Sequence, residues 1–407
     1  MNRAFYGWLA GATLSAFGDT ALFFALGWAA AGFGPNVAGL VLTAYTLPRA
    51  VLLLIGGVLG DRWGPRRLLL ACYFLLATLT AALAAAFQLA GTTVALLLLT
   101  AATIGTVDAF ALPAAGAFPR LFADDTTLPK AMALRTSTQQ LVTLAAGPIG
   151  GLLVAAVGLP GALTIDALTF AIAYAVLLRI KLPDLPSAPS QHASAKRSTS
   201  PQPRPRVAAE ALDGLRLAWS DPVLRALLLT VALVAAFVLP VTSLCVPLLA
   251  RSSGWSASQA GLVVGTTVAG GLLVTVLVAR LGTQKHPGAT AALGCLLAAA
   301  GIAGLALSPS AHPAAIAAFV QGIGVGIFTS HLAPLFIAST PRSHLTRLQS
   351  LLALAQTLPL IASNNLLGGI AASSPQYAVL ACAAGTALAA ACLFSSRGVR
   401  KAVVGVP

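Results

Sequence analysis

The chain has 407 residues, of which 58% are hydrophobic and only 8% charged, with a formal net charge of +14 and a mean hydropathy of +0.89. A soluble globular protein carries about 25% charged residues, so a soluble enzyme, a soluble nucleic-acid binder and a disordered scaffold are excluded. The basic excess fits membrane topology and anionic lipid, and needs no nucleic-acid partner.

A helix crosses a bilayer core with about 20 apolar residues. Twelve such segments are predicted, at roughly 5–30, 37–60, 67–88, 93–118, 133–157, 160–180, 222–249, 257–281, 288–308, 313–339, 346–372 and 376–395. The apolar runs are continuous rather than alternating, which selects helices over barrel strands. Segment one is expected to be retained rather than cleaved as a signal peptide: it is long, contains Asp19, and leads through Gly34, Pro35 and Asn36 directly into the next span.

Of the 24 Lys and Arg residues, 22 lie on one side of this arrangement, leaving Arg251 in an opposite-side loop and Arg49 inside a span. The positive-inside rule then puts both termini in the cytoplasm, in a cytoplasmic (inner) membrane. High Ala, Gly and Arg with few Lys suggests a bacterial source. The expected division is 1–180 as a first six-helix bundle, 181–221 as a cytoplasmic linker, 222–396 as a second bundle, and 397–407 as a tail. The linker is rich in Pro, Ser and Arg. Its final stretch places Leu212, Leu215 and Trp219 on one helical face, as a surface helix would. Ser220, Asp221 and Pro222 read as a cap and first turn.

The halves resemble each other. Ala38-Gly39-Leu40-Val41 opens span two and Ala260-Gly261-Leu262-Val263 opens span eight; Leu59-Gly60 then matches Leu281-Gly282, and Pro65 matches Pro287. Two parallel six-helix repeats would leave this trace, and such repeats are a transporter architecture. The predicted class is an all-α membrane protein of twelve helices in two such repeats.

Three acids lie inside spans: Asp19, Asp108 and Asp166. The second half has no acid beyond Asp221. A charge at mid-bilayer costs about 2.5–3.5 kcal/mol on insertion scales, so it faces a cavity or a partner. Asp19 lies about 21 Å into its span and Arg49 and Asp108 about 15–17 Å from the cytoplasmic face, at 1.5 Å per residue; the three could share a layer. One reading has Asp19 taking and releasing a proton beside Arg49. The alternative is a permanent Arg49–Asp ion pair holding the first half together. Asp108 could instead join Arg66, and Asp166 reads as a helix-start residue of span six.

The loop after span two reads Gly57-Val58-Leu59-Gly60-Asp61-Arg62-Trp63-Gly64-Pro65-Arg66-Arg67. Its glycines allow close helix approach, Asp61 can face a helix N-terminus, and the arginines can meet carboxylates or headgroups. Here the sequence resembles the major facilitator superfamily, whose loop signature is G-x-L-a-D-r-x-G-r-k; Gly57, Leu59, Asp61, Arg62, Gly64 and Arg66 fall on it, while Pro65 departs. The resemblance implies a gating latch of Gly57, Asp61, Arg62, Gly64, Arg66 and Arg67, with Asp61 facing the helix that begins near Thr346. The equivalent second-half loop (Thr283, Gln284, Lys285, His286) lacks the acid, so a single latch is expected.

Gly147-Pro148-Ile149-Gly150-Gly151 in span five bends a helix and permits close packing. It is similar to the family's exporter-associated G-P-x-x-G motif, with Gly147, Pro148 and Gly151 on the pattern and Thr143 where an upstream glycine is usual. The stretches 15–19, 124–134 and 210–225 resemble the drug:proton antiporter branch that includes macrolide and enterobactin exporters. In that fold spans one, four, seven and ten line the cavity. This nominates Asp19, Thr103, Thr106 and Asp108, then Phe237, Thr242, Ser243, Gln321, Thr329 and Ser330. Asn364 and Asn365 read as helix–helix contacts, and His331 as an interface residue.

The function implied is proton-coupled export of small amphipathic compounds by alternating access, with Asp19, Asp108 and Arg49 in coupling. The expected partners are a small-molecule substrate, protons and membrane lipid, and the expected state is a monomer. The alternatives are an uptake symporter, a dedicated metabolite or siderophore exporter, or, in another class, a non-transporting sensor or assembly factor. No cofactor or metal is expected: there is no GxxxxGK[ST] loop, and the five cysteines sit singly in apolar runs. No nucleophile–base cluster supports an enzyme.

Overall fold

The computed structural model describes residues 3–122, 127–180, 219–282, 284–339, 345–396 and 398–399. The elements are α1 (Arg3–Ala31), α2 (Pro35–Trp63), α3 (Pro65–Ala90), α4 (Val94–Ala117) and α5 (Leu128–Arg179). Then come α6 (Pro222–Phe237), α7 (Val246–Ser252), α8 (Ala257–Leu281), α9 (Pro287–Ala306), α10 (Ala311–Ser339), α11 (Leu345–Ser373) and α12 (Pro375–Ser395). Among the described residues there is no strand. Among the described residues eleven helical runs are long and apolar enough to span a membrane. One of them, Lys130–Arg179, has 50 residues, about twice what a crossing needs. It bends back at Gly158, whose φ of 66° favours glycine. Counting its two arms separately, the described residues hold a helix at each of the twelve predicted crossings, with ends within a few residues of those expected.

The helix ends follow local chemistry. Pro occupies the first turn of α2, α3, α6, α9 and α12, where a missing N–H costs nothing. Asp221 caps α6, its Oδ1 accepting the Val223 and Leu224 amides at 2.7 and 3.2 Å. Ser256 and Gln259 form a reciprocal capping box on α8. Crossing seven is built from α6, a π-helical turn at Val241–Cys245, and α7; wide turns of this kind bend helices. The predicted surface helix lies outside the described residues, apart from an exposed Trp219.

The internal repeat has a structural meaning. A Cβ on Gly39 would run into the Asn364 carbonyl of α11, and a Cβ on Gly261 would meet the Gly147 carbonyl of α5 at 2.5 Å. Each Ala-Gly-Leu-Val therefore places its glycine where one half touches the other: α2 on α11, and α8 on α5. Gly64 and Gly282, which end α2 and α8, share φ values of 82° and 79°.

Candidate transport site

The close approaches between halves lie toward the end of the molecule opposite the termini. Gly151 abuts the Ala257 carbonyl, and its added Cβ would stand 3.1 Å from the Gly261 Cα. The Pro148 ring sits on Gly265. On the other flank Asn365 Nδ2 donates to Thr43 Oγ1 at 2.8 Å, and Gly368 faces the Pro35 carbonyl. Between these seams Arg251 of α7 crosses to α1. Its Nε donates to the Trp28 carbonyl at 2.9 Å and its guanidinium carbon lies 4.5 Å from the Trp28 ring centroid. The end of α1 carries no basic residue of its own, so a cation from the other half meets its carbonyl-rich terminus.

Toward the end carrying the termini the first half opens into a cavity of about 600 Å³. Its wall runs along α1 from Trp8 to Phe23, a rise of about 22 Å. Asp19, half-buried, projects into this wall with Tyr45 and Arg49 of α2, Asp108 of α4, and Arg135 and Gln139 of α5. The crossing of α2 and α4 that assembles it is close because Gly105 lies on the Tyr45 carbonyl and Gly56 on the Ala109 carbonyl. One helical turn beyond Gly105, Asp108 meets Tyr45.

A directed chain results. Arg49 Nη1 donates to the Tyr45 hydroxyl at 3.0 Å, and that hydroxyl donates to Asp108 Oδ2 at 2.7 Å. The guanidinium also lies 5.5 Å from the Tyr45 ring centroid. Arg49 and Asp108 are thus joined through a phenol rather than by the direct ion pair considered from sequence. Asp19 lines the same cavity, so Asp19, Arg49 and Asp108 lie at one site. Tyr45 escaped the sequence reading, although its place four residues before Arg49, on the same helical face, was the available signal. Arg135 and Gln139 stand at the same spacing.

Other nominated residues lie elsewhere. Thr103, Thr106, Ser243 and Thr329 turn their hydroxyls onto carbonyls of their own helices. Phe237 stacks its ring on Gly385 of α12. Gln321 is 1% exposed, and its backbone is pressed against Gly301. None of these lines the described cavity. His331 is buried and accepts the Gln284 amide at Nε2 (3.3 Å), tying down the second-half counterpart of the latch loop.

The latch residues divide. Gly57 and Gly64 have nothing within 4 Å of an added Cβ, and Arg62 and Arg67 are exposed. The side chain of Asp61, and those of residues 345–350 opposite, lie outside the described residues. Arg66 does not reach Asp108: its Nη2 donates to the carbonyls of Leu177, Leu178 and Ile180 at 3.3, 3.3 and 2.8 Å, closing the end of α5. Asp166 lies close to the position in span six expected for it. It is 1% exposed, two turns past Gly158, and packed against α1.

The cysteines Cys72, Cys245, Cys295 and Cys382 are buried and free. No cluster of three or more His, Cys, Asp or Glu able to hold a metal occurs among the described residues.

No curated protein matches the sequence, but solved structures match the fold over almost the whole chain. The nucleoside transporter NupG superposes with a TM-score of 0.74 at 15% identity, covering 97% of this chain and 100% of that one. A bacterial homologue of the lysosomal transporter Spinster, inward-facing and unoccupied, gives 0.73 at 16% identity with 98% of each chain covered. A D-xylose–proton symporter gives 0.74 at 13% identity, covering 97% of this chain and 98% of that one. At such identities the likeness is one of fold. A sequence family model described as Major Facilitator Superfamily matches residues 8–363 and 241–404. With twelve crossings in two halves and a cavity closed at one end, the chain belongs to that superfamily and is a transporter rather than an enzyme.

Proposed function

We propose that this protein is a proton-coupled exporter of small amphipathic compounds, of the drug:proton antiporter kind, working as a monomer in a bacterial cytoplasmic membrane with both termini in the cytoplasm. The observation that carries the reading is the site on the cavity wall: Asp19 beside the Arg49–Tyr45–Asp108 chain. Asp19 is open to the cavity and makes no part of that chain, so it is free to gain and lose a proton as cargo enters. Arg49 and Asp108, held through Tyr45, set the charge it faces. With Asp19 ionised, Arg49 and Arg135 balance Asp19 and Asp108, which suits cargo of little net charge with apolar surface for Trp8, Phe23 and Phe170.

With the termini cytoplasmic, the cavity faces the cytoplasm and the Gly147-Pro148-Gly151 seam closes the outer side. Alternating access then requires the two halves to rock about the site, parting at this seam as the terminal ends meet. Export is supported by the resemblance of that motif to the exporter pattern. The exposed Arg62 and Arg67 suit anionic lipid headgroups.

The experiment is transport in proteoliposomes carrying an imposed pH gradient, with a panel of amphipathic dyes and antibiotics. Wild type should move at least one compound against its gradient and collapse with an uncoupler. Asp19→Asn should fold normally and lose pH-driven transport. Undiminished pH-driven transport by that variant refutes the coupling role. Substrate movement that ignores the pH gradient in wild type refutes proton coupling altogether.

A further inference from the structure

Behind the cavity wall lies an acid that the site as described does not use. Asp166, on the returning arm of α5, is 1% exposed, and neither carboxyl oxygen has a hydrogen-bond partner. The backbone of α1 covers it. A Cβ on Gly18 would stand 2.7 Å from Asp166 Oδ1 and would collide with the Thr169 hydroxyl. That hydroxyl is already committed, donating to the Asp166 backbone carbonyl at 2.8 Å. Asp19 and Asp108 are its acidic neighbours in the first half, and Thr169 is the one hydroxyl placed beside it.

A buried carboxylate whose neighbouring hydroxyl is turned to a backbone carbonyl, and which has two acidic neighbours, is among the costliest arrangements a protein interior can hold. A buried polar group left unsatisfied calls for an explanation in function. As a carboxylic acid the group is neutral, and its O–H then lacks an acceptor in this conformation. Asp19, the next residue along α1 after the covering glycine, lines the cavity.

We propose that Asp166 is a second proton-binding carboxyl, loaded and emptied through Asp19. In the transfer the Asp19 O–H bond breaks and an O–H bond forms on an Asp166 oxygen. Asp19 becomes the carboxylate and Asp166 the acid, so net charge is unchanged. Re-protonation of Asp19 from cavity water then leaves two protons in the first half. The groups around the pair are Asp108 from α4, Tyr45 and Arg49 from α2 and Thr169 beside Asp166, with Tyr73 from α3 and Arg135 from the outgoing arm of α5 lining the same cavity as Asp19 and Cys72 near Asp108. The inference deepens the coupling reading and rests on it. A dead-end structural acid would hold its proton and never exchange it.

The test is infrared spectroscopy of the purified full-length protein in detergent, titrated from acid to alkaline pH in ordinary and heavy water; it needs no knowledge of the cargo. Wild type should show protonated-carboxyl intensity that shifts in heavy water and disappears at high pH. Asp166→Asn should lose one component and Asp19→Asn another, the latter also slowing exchange of the component that remains. Asp166→Glu, which keeps an acid if the amide variant folds poorly, should retain a displaced band. A spectrum unchanged in Asp166→Asn, or an Asp166 band that neither exchanges nor titrates, overturns the proposal. If Asp19→Asn alone removes titrating intensity, the coupling role of Asp19 survives without this extension.

Discussion

Arg251 should decide how tightly the end opposite the termini stays shut. Arg251→Ala deletes a charged hydrogen bond to the Trp28 carbonyl and a guanidinium–indole contact, both of which join α7 to α1 across the two halves. Hydrogen bonds involving an ionised group contribute about 1.5–3 kcal/mol, and exposed cation–π contacts about 0.5–1 kcal/mol. Arg251 is exposed, so the low ends apply, for about 1.5–2 kcal/mol in total. At 1.4 kcal/mol per decade, the ratio of far-end-open to far-end-closed molecules should rise roughly ten- to thirtyfold. The assay is pulsed electron resonance between spin labels at Leu89 and Leu307, exposed at that end on opposite halves, with the native cysteines replaced. The variant should gain a long-distance population at the expense of the short one. An unchanged distance distribution refutes the clamp.

Gly151→Val should block closure of the same end, because even a Cβ there meets the Ala257 carbonyl and the Gly261 Cα. The same label pair should report a permanently widened gap, with transport lost and folding retained. Tyr45→Phe should strand the buried Asp108 carboxyl, at a cost of about 1–3 kcal/mol. A lower thermal midpoint in detergent checks this, and Asp108→Asn in the same background should recover part of the loss; if Tyr45→Phe unfolds like wild type, the phenol bridge is not structural. Arg66→Ala frees three carbonyls at the end of α5, costing about 1–2 kcal/mol. Hydrogen exchange should quicken at 174–180 with little change around Asp108, whereas faster exchange around Asp108 would restore the Arg66–Asp108 link set aside above.

The crossings were legible because a bilayer imposes length and hydrophobicity, which are additive along the chain. Caps such as Asp221 and turns such as Gly64-Pro65 are equally local, depending on neighbours a few residues apart. The grouping of Asp19, Arg49 and Asp108 was readable too, since a fixed rise per residue converts sequence position into depth. Depth says nothing of azimuth, however. Thr103, Thr106, Gln321 and Thr329 lie in spans the family pattern assigns to the cavity, yet none faces the cavity described here, because rotation about each helix axis is set by packing against neighbours. Tyr45 between Arg49 and Asp108, Arg66 on the end of α5, and Asp166 sealed under Gly18 all depend on how closely two helices approach. That closeness is decided by glycine contacts between segments distant in the chain. The sequence by itself determined how many helices there are, where they end and at what depth their charges sit; only the tertiary structure decided which of those charges meet.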